Sequence, residues 1–317
     1  MNGNHEMIRR RGLLAGASVL AGLRQTHAAP AKVLRVGTQK GAAILMAERQ
    51  QRGLETLLNP LGIEVRWSEF QFGPPIMEAM RAGGVDIGLV GDTPPIFAQA
   101  ANSDLLYVAT VPASAEAILL PAGSNIQTLQ ELKGKRIAFA RGSAAHNLTI
   151  AALEKAGLKP EDVTLVGLAP ADAGAAFERG AIDAWSIWDP FFALYESRPG
   201  VRVLVTSDSV AAQNSFLIGT RSFVAGNPDI TAKVIEELSR ITHWAGANRD
   251  EVSRLVADGT GVPYETTSRV MRRYPFQIVP VSEEHIRSQQ SIADRFLRLG
   301  VIPGKIDVAR QVWRPNA

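Results

Sequence analysis

The sequence predicts an α/β protein of two lobes, each a mixed, mostly parallel sheet flanked by helices, with a ligand cleft between them. Three observations carry that prediction. Short apolar runs alternate with runs of helical period, which is the rhythm of parallel sheets covered on both faces. The strand–helix–strand rhythm occurs twice, before and after an extended apolar segment at Ala115 to Pro121. Two strand-to-helix turns, Gly91-Asp92-Thr93-Pro94-Pro95 and Arg141-Gly142-Ser143-Ala144-Ala145-His146-Asn147, lie about 50 residues apart, one in each run.

In chain order, Val33 to Gly37 reads as a strand ending in the polar turn Thr38-Gln39-Lys40-Gly41. Ala42 to Leu58 has helical periodicity and stops at Asn59-Pro60, because the residue before proline is disfavoured in the helical region. Ile63 to Phe70 alternates like a half-buried strand, Pro74 to Arg81 is a helix ended by Gly83-Gly84, and Val85 to Val90 is a short buried strand. The second run repeats the pattern: strand Arg136 to Ala140, helix Ala145 to Ala156, strand Val163 to Leu168, helix Pro170 to Arg179, strand Ala184 to Ile187 and helix Pro190 to Ser197. Ala115 to Pro121 and Asn214 to Thr220 read as the strands that cross between lobes. The first lobe is then 32–114 with 221–317, and the second is 115–220. From Pro228 onward several helices are expected and no strand.

Arg9-Arg10-Arg11, the apolar stretch Gly12 to Leu23 and the small residues around Ala28 have the three-part form of a cleavable signal peptide over 1–28. Arg10-Arg11-Gly12-Leu13-Leu14 also resembles a twin-arginine export signal, leaving general secretion and folded export both open. The apolar stretch is shorter than the roughly 20 residues of a membrane span. Residues 1–28 hold Arg9, Arg10, Arg11 and Arg24 against Glu6, a net of +3 that equals the +3 of the whole chain, so the remainder is near neutral. No clustered basic face marks a nucleic-acid partner. The chain has no cysteine, which excludes disulfides, thiolate metal sites, cysteine nucleophiles and a lipoprotein anchor. A soluble, unanchored, periplasmic product follows as the expectation.

The two turns carry the chemistry. A helix start leaves backbone N–H groups without partners and adds partial positive charge, so it is a ready anion site. In the first turn prolines suit the opening helical position, Thr93 fits as N-cap and Asp92 lies just outside. In the second, Gly142 allows the tight turn, Ser143 caps the helix or offers its hydroxyl, and two alanines leave the amides uncovered. Plain capping explains either turn taken alone. Trp185 and Trp188 face different environments, one for the core and one for the cleft, where an indole can donate to an anion and cover an organic tail. Asp189 fits a helix cap better than an anion contact. Glu283-Glu284-His285 lacks the second histidine of a zinc motif and reads as a solvated helix face. No nucleophile or phosphate-loop motif is present, and neither a cofactor nor a metal is expected.

Val90 to Ala101, Arg141 to Leu148, Asp183 to Phe191 and Val281 to Val301 together resemble the type II periplasmic substrate-binding proteins of ATP-driven importers, and most closely their aliphatic sulfonate-binding branch. The resemblance implies a sulfonate head held between the helix starts: Gly91, Asp92 and Thr93 on one side, through amides and the threonine hydroxyl, and Ser143, Ala144, Ala145 and His146 on the other, chiefly through amides. Gln39 and Trp188 complete the implied pocket, with Asn214 and Ser215 beside them. Ala144 stands where serine is expected in several relatives. The resemblance also implies a monomer whose lobes close about a hinge on an alkanesulfonate, and delivery to a permease and ATPase in the inner membrane for sulfur acquisition. Taurine, nitrate or another small oxyanion remains open as ligand. A pyrimidine-forming or desulfinating enzyme of the same fold is the alternative of a different class.

Overall fold

The computed structural model describes residues 33–210 and 213–315, so the expected signal peptide lies outside the described residues. The first run folds as β1 (Val33–Gln39), α1 (Ala43–Gln51), α2 (Gly53–Leu58), β2 (Glu64–Phe70), α3 (Gly73–Arg81), β3 (Ile87–Gly91), α4 (Thr93–Ala100) and β4 (Leu105–Pro112). The second is β5 (Glu116–Leu120), β6 (Arg136–Phe139), α5 (Ala144–Lys155), β7 (Thr164–Gly167), α6 (Pro170–Glu178), β8 (Ala184–Trp188), α7 (Phe191–Glu196) and β9 (Arg202–Thr206). β10 (Asn214–Thr220) follows, and then α8 (Arg221–Gly226), α9 (Pro228–Ala247), α10 (Arg249–Thr260), α11 (Tyr264–Arg273) and α12 (Glu283–Arg298).

The strands form two five-stranded sheets of the same plan, ordered β2-β1-β3-β10-β4 and β7-β6-β8-β5-β9. In each, the three strands of the βαβαβ run pair in parallel, and the fourth position holds the one strand of opposite direction, β10 or β5. That antiparallel strand arrives from the other lobe. β5 enters the second sheet directly after β4 leaves the first, and β10 returns to the first sheet after β9. Asn214–Thr220, counted with the second lobe from sequence, therefore pairs between β3 and β4 of the first sheet, and the return crossing lies ahead of it.

β4 and β9 have no counterpart in the sequence reading. β4 is buried along nearly its whole length, so both faces are apolar and it lacks the alternation that marks a half-exposed strand. The expected helix Ala42 to Leu58 is broken at Arg52, whose φ of 53° ends α1 and starts α2. The next residue, Gly53, leaves room there for the Glu237 side chain. A Cβ on Gly53 would sit 1.8 Å from Glu237 Oε1, where α9 crosses the break.

One core packs α1, α2 and α9–α11 on one face of the first sheet, around Leu34, Ile44, Leu54, Leu217 and Ile241. A second lies on the other face, where α3, α4 and α12 bury Ile76, Ile96, Tyr107 and Phe296; Ile150 of α5 joins it from the second lobe. The second sheet is covered by α6 and α7 on one side and by α5 on the other. Among the described residues no helix is long and apolar enough to cross a membrane.

Candidate functional site

The carboxyl ends of β1, β3 and β8 and the opening turns of α3, α4 and α5 meet at a small polar cavity of about 50 Å³ between the two sheets. Its walls are Gln39, Gly73, Gly91 and Pro94 from the first lobe, Ser143, Ala144 and Trp188 from the second, and Ser114, Glu116 and Ser215 from the crossing segments. The two helix starts are thus brought face to face. A Cβ on Gly91 would lie 3.0 Å from the Ala144 Cβ, so the missing side chain at 91 is what lets the lobes approach this closely. Among the described residues, no lysine, arginine or histidine side chain lines the cavity.

Of the residues expected at the site, Gln39, Gly91, Ser143, Ala144, Trp188 and Ser215 line this cavity, while Asn214 faces an adjoining one with Asp189, Arg273 and His285. Four others turn away. Asp92 is fully buried and occupies the N-cap position expected of Thr93, without capping through its side chain. Thr93 is equally buried, and its hydroxyl donates to Asp92 Oδ1 at 2.7 Å instead of facing the cleft. Ala145 is buried, with its carbonyl accepting from Thr149 Oγ1 and Ser186 Oγ. His146 is buried and stacks on Phe139 and Phe97 at 4.6 and 5.6 Å, while its Nδ1 accepts from the Gly142 amide. Burial, helped by Arg141, lowers its pKa to about 4, so the ring is neutral and is no cation for a ligand. Ser143 caps nothing through its side chain, since its hydroxyl donates to Ala140 O at 2.7 Å.

The two tryptophans divide as alternation requires. Trp185 packs in the core against Phe177 and Tyr195, and Trp188 reaches the cavity. Asp189 accepts from the Ala193 amide at 3.1 Å in α7 and pairs with Arg273 at 2.6 Å, which ties β8 to α11. His285 caps α12: its Nδ1 accepts from the Ser282 amide, and Ser282 Oγ accepts from the His285 amide.

Two of the residues that turn from the cavity, Asp92 and His146, join the lobes. Asn147 of α5 donates to Asp92 Oδ2 at 3.1 Å and accepts from Arg295 Nη1 at 2.9 Å, while Arg295 and Arg298 of α12 pair with Glu154 of α5. Phe296 of α12 also lies 5.5 Å from the His146 ring. Within the first lobe, Gln289 of α12 donates from its Nε2 to the Asp92 carbonyl at 2.6 Å. Burial lifts the Asp92 carboxyl to about 6 despite its bonds to Thr93 and Asn147.

Ser114 and Glu116 escape a motif-based reading because they lie in a crossing segment and not in either turn. One signal was available: Glu116 interrupts an otherwise apolar run, Ala115 to Pro121.

Two α/β lobes joined by exchanged strands, with a polar cavity at the carboxyl ends of the sheets, define a two-lobed solute-binding architecture. The chain belongs to the NMT1/THI5-like family, whose model matches residues 61–252. It is 36% identical over 288 residues to a putative aliphatic sulfonates-binding protein of Escherichia coli, covering 90% of each chain. It is also 27% identical over 264 residues to the taurine-binding periplasmic protein of E. coli, covering 74% of this chain and 76% of the relative. Among solved structures, the alkanesulfonate-binding protein SsuA of Xanthomonas axonopodis pv. citri bound to MOPS superposes with a TM-score of 0.85 at 36% identity, covering 90% of this chain and all of that one. The desulfurization enzyme DszB shares the fold alone, at a TM-score of 0.62 and 15% identity.

Proposed function

We propose that the protein captures aliphatic sulfonates in this cleft and hands them to an inner-membrane permease and ATPase, as an exported, monomeric, periplasmic component that binds and does not catalyse. The observation that carries the reading is the pair of helix starts, Gly91–Thr93 and Ser143–Ala145, opposed across one cavity that no basic side chain among the described residues lines. A sulfonate is ionised at every physiological pH, so it calls for fixed donors and no titrating base. Its three oxygens suit several amides, each charge-assisted bond being roughly twice as strong as a neutral one. Gln39, Ser114 and Ser215 add side-chain donors, and Trp188 offers a surface for the carbon chain. Asp92, Thr93 and His146 act from behind, holding the turns that present the amides. The names of the sulfonate-binding relatives support the same ligand class. With no cysteine, the chain has no thiol for cysteine-dependent desulfination.

Isothermal titration of ligand-stripped protein tests the proposal with ethane-, butane- and octanesulfonate, taurine, nitrate and sulfate. Binding of alkanesulfonates with sulfate and nitrate silent is expected, because a fourth oxygen directed at the Trp188 side loses hydrogen bonds. Binding restricted to nitrate or taurine moves the function to that ligand, and silence across the panel refutes the sulfonate assignment.

A further inference from the structure

The cleft holds an acid that amide capture of an anion does not use. Glu116 opens β5, opposite Trp188 across the β5–β8 pair, and lines the cavity while only 4% exposed. Its Oε2 accepts from Gln213 Nε2 at 3.1 Å. The charges acting on it from neighbouring elements are also acids: Asp92 from the turn between β3 and α4, and Asp189 from the end of β8. The nearby arginines are engaged elsewhere, Arg273 of α11 with Asp189 and Arg295 of α12 with Glu154 and Asn147. An ionised carboxylate and a sulfonate repel strongly in a small, poorly solvated cavity. A neutral carboxyl group instead brings an O–H donor to the anion.

Resting on the sulfonate reading above, we propose that Glu116 is protonated in the complex and donates its O–H to a ligand oxygen, so that toward alkaline pH, where the free protein has Glu116 ionised, each alkanesulfonate bound takes up a proton from solvent. No bond within the ligand changes. Burial, reinforced by Asp92 and Asp189, already holds the Glu116 carboxyl well above the usual carboxylate range, which lowers the cost of protonating it. Selectivity follows: at this position the site takes an acceptor oxygen and refuses an ammonium group.

The sign of the linkage is set by the added anion, which raises the Glu116 pKa further. Affinity is therefore greatest at low pH and falls as pH rises through the pKa of the free protein, approaching tenfold per pH unit for one proton. Asp92, lifted to about 6, completes its own titration below the alkaline part of that range.

Butanesulfonate and taurine titrated calorimetrically between about pH 6 and about pH 9, in buffers of different ionisation enthalpy, test the linkage on the wild type and Glu116→Gln. The expected result is uptake approaching one proton and a falling affinity in the wild type. Glu116→Gln keeps a neutral donor, so its profile flattens and it binds butanesulfonate more tightly than the wild type at the alkaline end. A wild type with pH-independent affinity and no proton uptake overturns the proposal without needing the variant. So does a variant that keeps the wild-type slope, or one that loses taurine while keeping butanesulfonate, which makes Glu116 the ionised partner of an amine. If neither sulfonate binds the wild type at any pH, the sulfonate reading itself fails and the linkage falls with it.

Discussion

Asn147→Ala should weaken ligand binding without touching the ligand. The side chain does not line the cavity, yet it bridges the lobes, donating to Asp92 Oδ2 and accepting from Arg295 Nη1. Both bonds run from α5 on the second sheet to groups of the first lobe, so separation of the lobes breaks them. Hydrogen bonds to charged groups contribute roughly 1.5–3 kcal/mol each. After truncation Asp92 keeps the Thr93 hydroxyl and Arg295 keeps Glu154, so the two bonds together contribute less than their sum of ~3–6 kcal/mol. A net loss of about 2–3 kcal/mol from the closed form corresponds to roughly 30- to 150-fold weaker binding. Calorimetric titration with the best-bound sulfonate reads the affinity, and small-angle scattering reads compaction on ligand addition. Affinity within about threefold of wild type, with a lowered melting temperature, would refute the reasoning. The two bonds would then hold the lobes together in every state and have no part in closure.

Three further outcomes are expected. Gly91→Val places a branched side chain where even a Cβ meets Ala144 at 3.0 Å, so it should hold the helix starts apart and reduce affinity at least about tenfold while far-ultraviolet circular dichroism stays unchanged. His146 is buried neutral with a pKa near 4, below its ordinary value, so the unfolded chain takes up the proton first. Stability should fall by about 3 kcal/mol as pH drops from about 6.5 to about 4, and denaturant titration of His146→Gln, which retains an acceptor for the Gly142 amide, should show a smaller fall. Glu48, fully buried against Glu237 and bonded to the Leu54 amide, is raised to about 7 by burial. A raised carboxyl stabilises the fold only while protonated, and that stability is lost as pH climbs from about 4.5 to about 7. Glu48→Gln should accordingly raise the melting temperature at about pH 8, by an amount equivalent to ~2–3 kcal/mol, and leave it nearly unchanged at about pH 4.5.

In the proposed binding cycle, closure is set by the groups where the two lobes meet, and the choice of ligand by the side chains of Trp188 and Glu116 that line the cavity. Gly91 and Ala144 set how near the helix starts come, and the Asp92–Asn147–Arg295 chain ties them to α12. The stack of His146 with Phe97, Phe139 and Phe296 makes the same joint apolar. Substitutions at these positions are expected to change affinity across all ligands together, whereas changes at Trp188 or Glu116 should alter which ligand is preferred.

The amino-acid order by itself determined the two βαβαβ runs, the glycine and proline stops, and the pair of turns that open α4 and α5. These are local effects: hydrophobic period, the fixed φ of proline and the freedom of glycine act over a few residues. Gly91, Ser143 and Ala144 could be placed near the cavity because the two strand-to-helix turns fix where those positions lie, whereas Gln39, Trp188 and Ser215 come from the family resemblance. Only the tertiary structure decided what the remaining side chains do. Asp92 and His146 turn inward because the docking of the two lobes gives them partners 55 and more residues away, such as Asn147 and Phe296, and Thr93 follows by bonding to Asp92. β4, buried on both faces, carried no alternation to read, and the place of β10 in the first sheet depends on a strand exchange between lobes. Glu116 reaches the cleft by the same exchange. Its role comes from burial among other acids, and burial is a property of the packed chain that no local run of residues encodes.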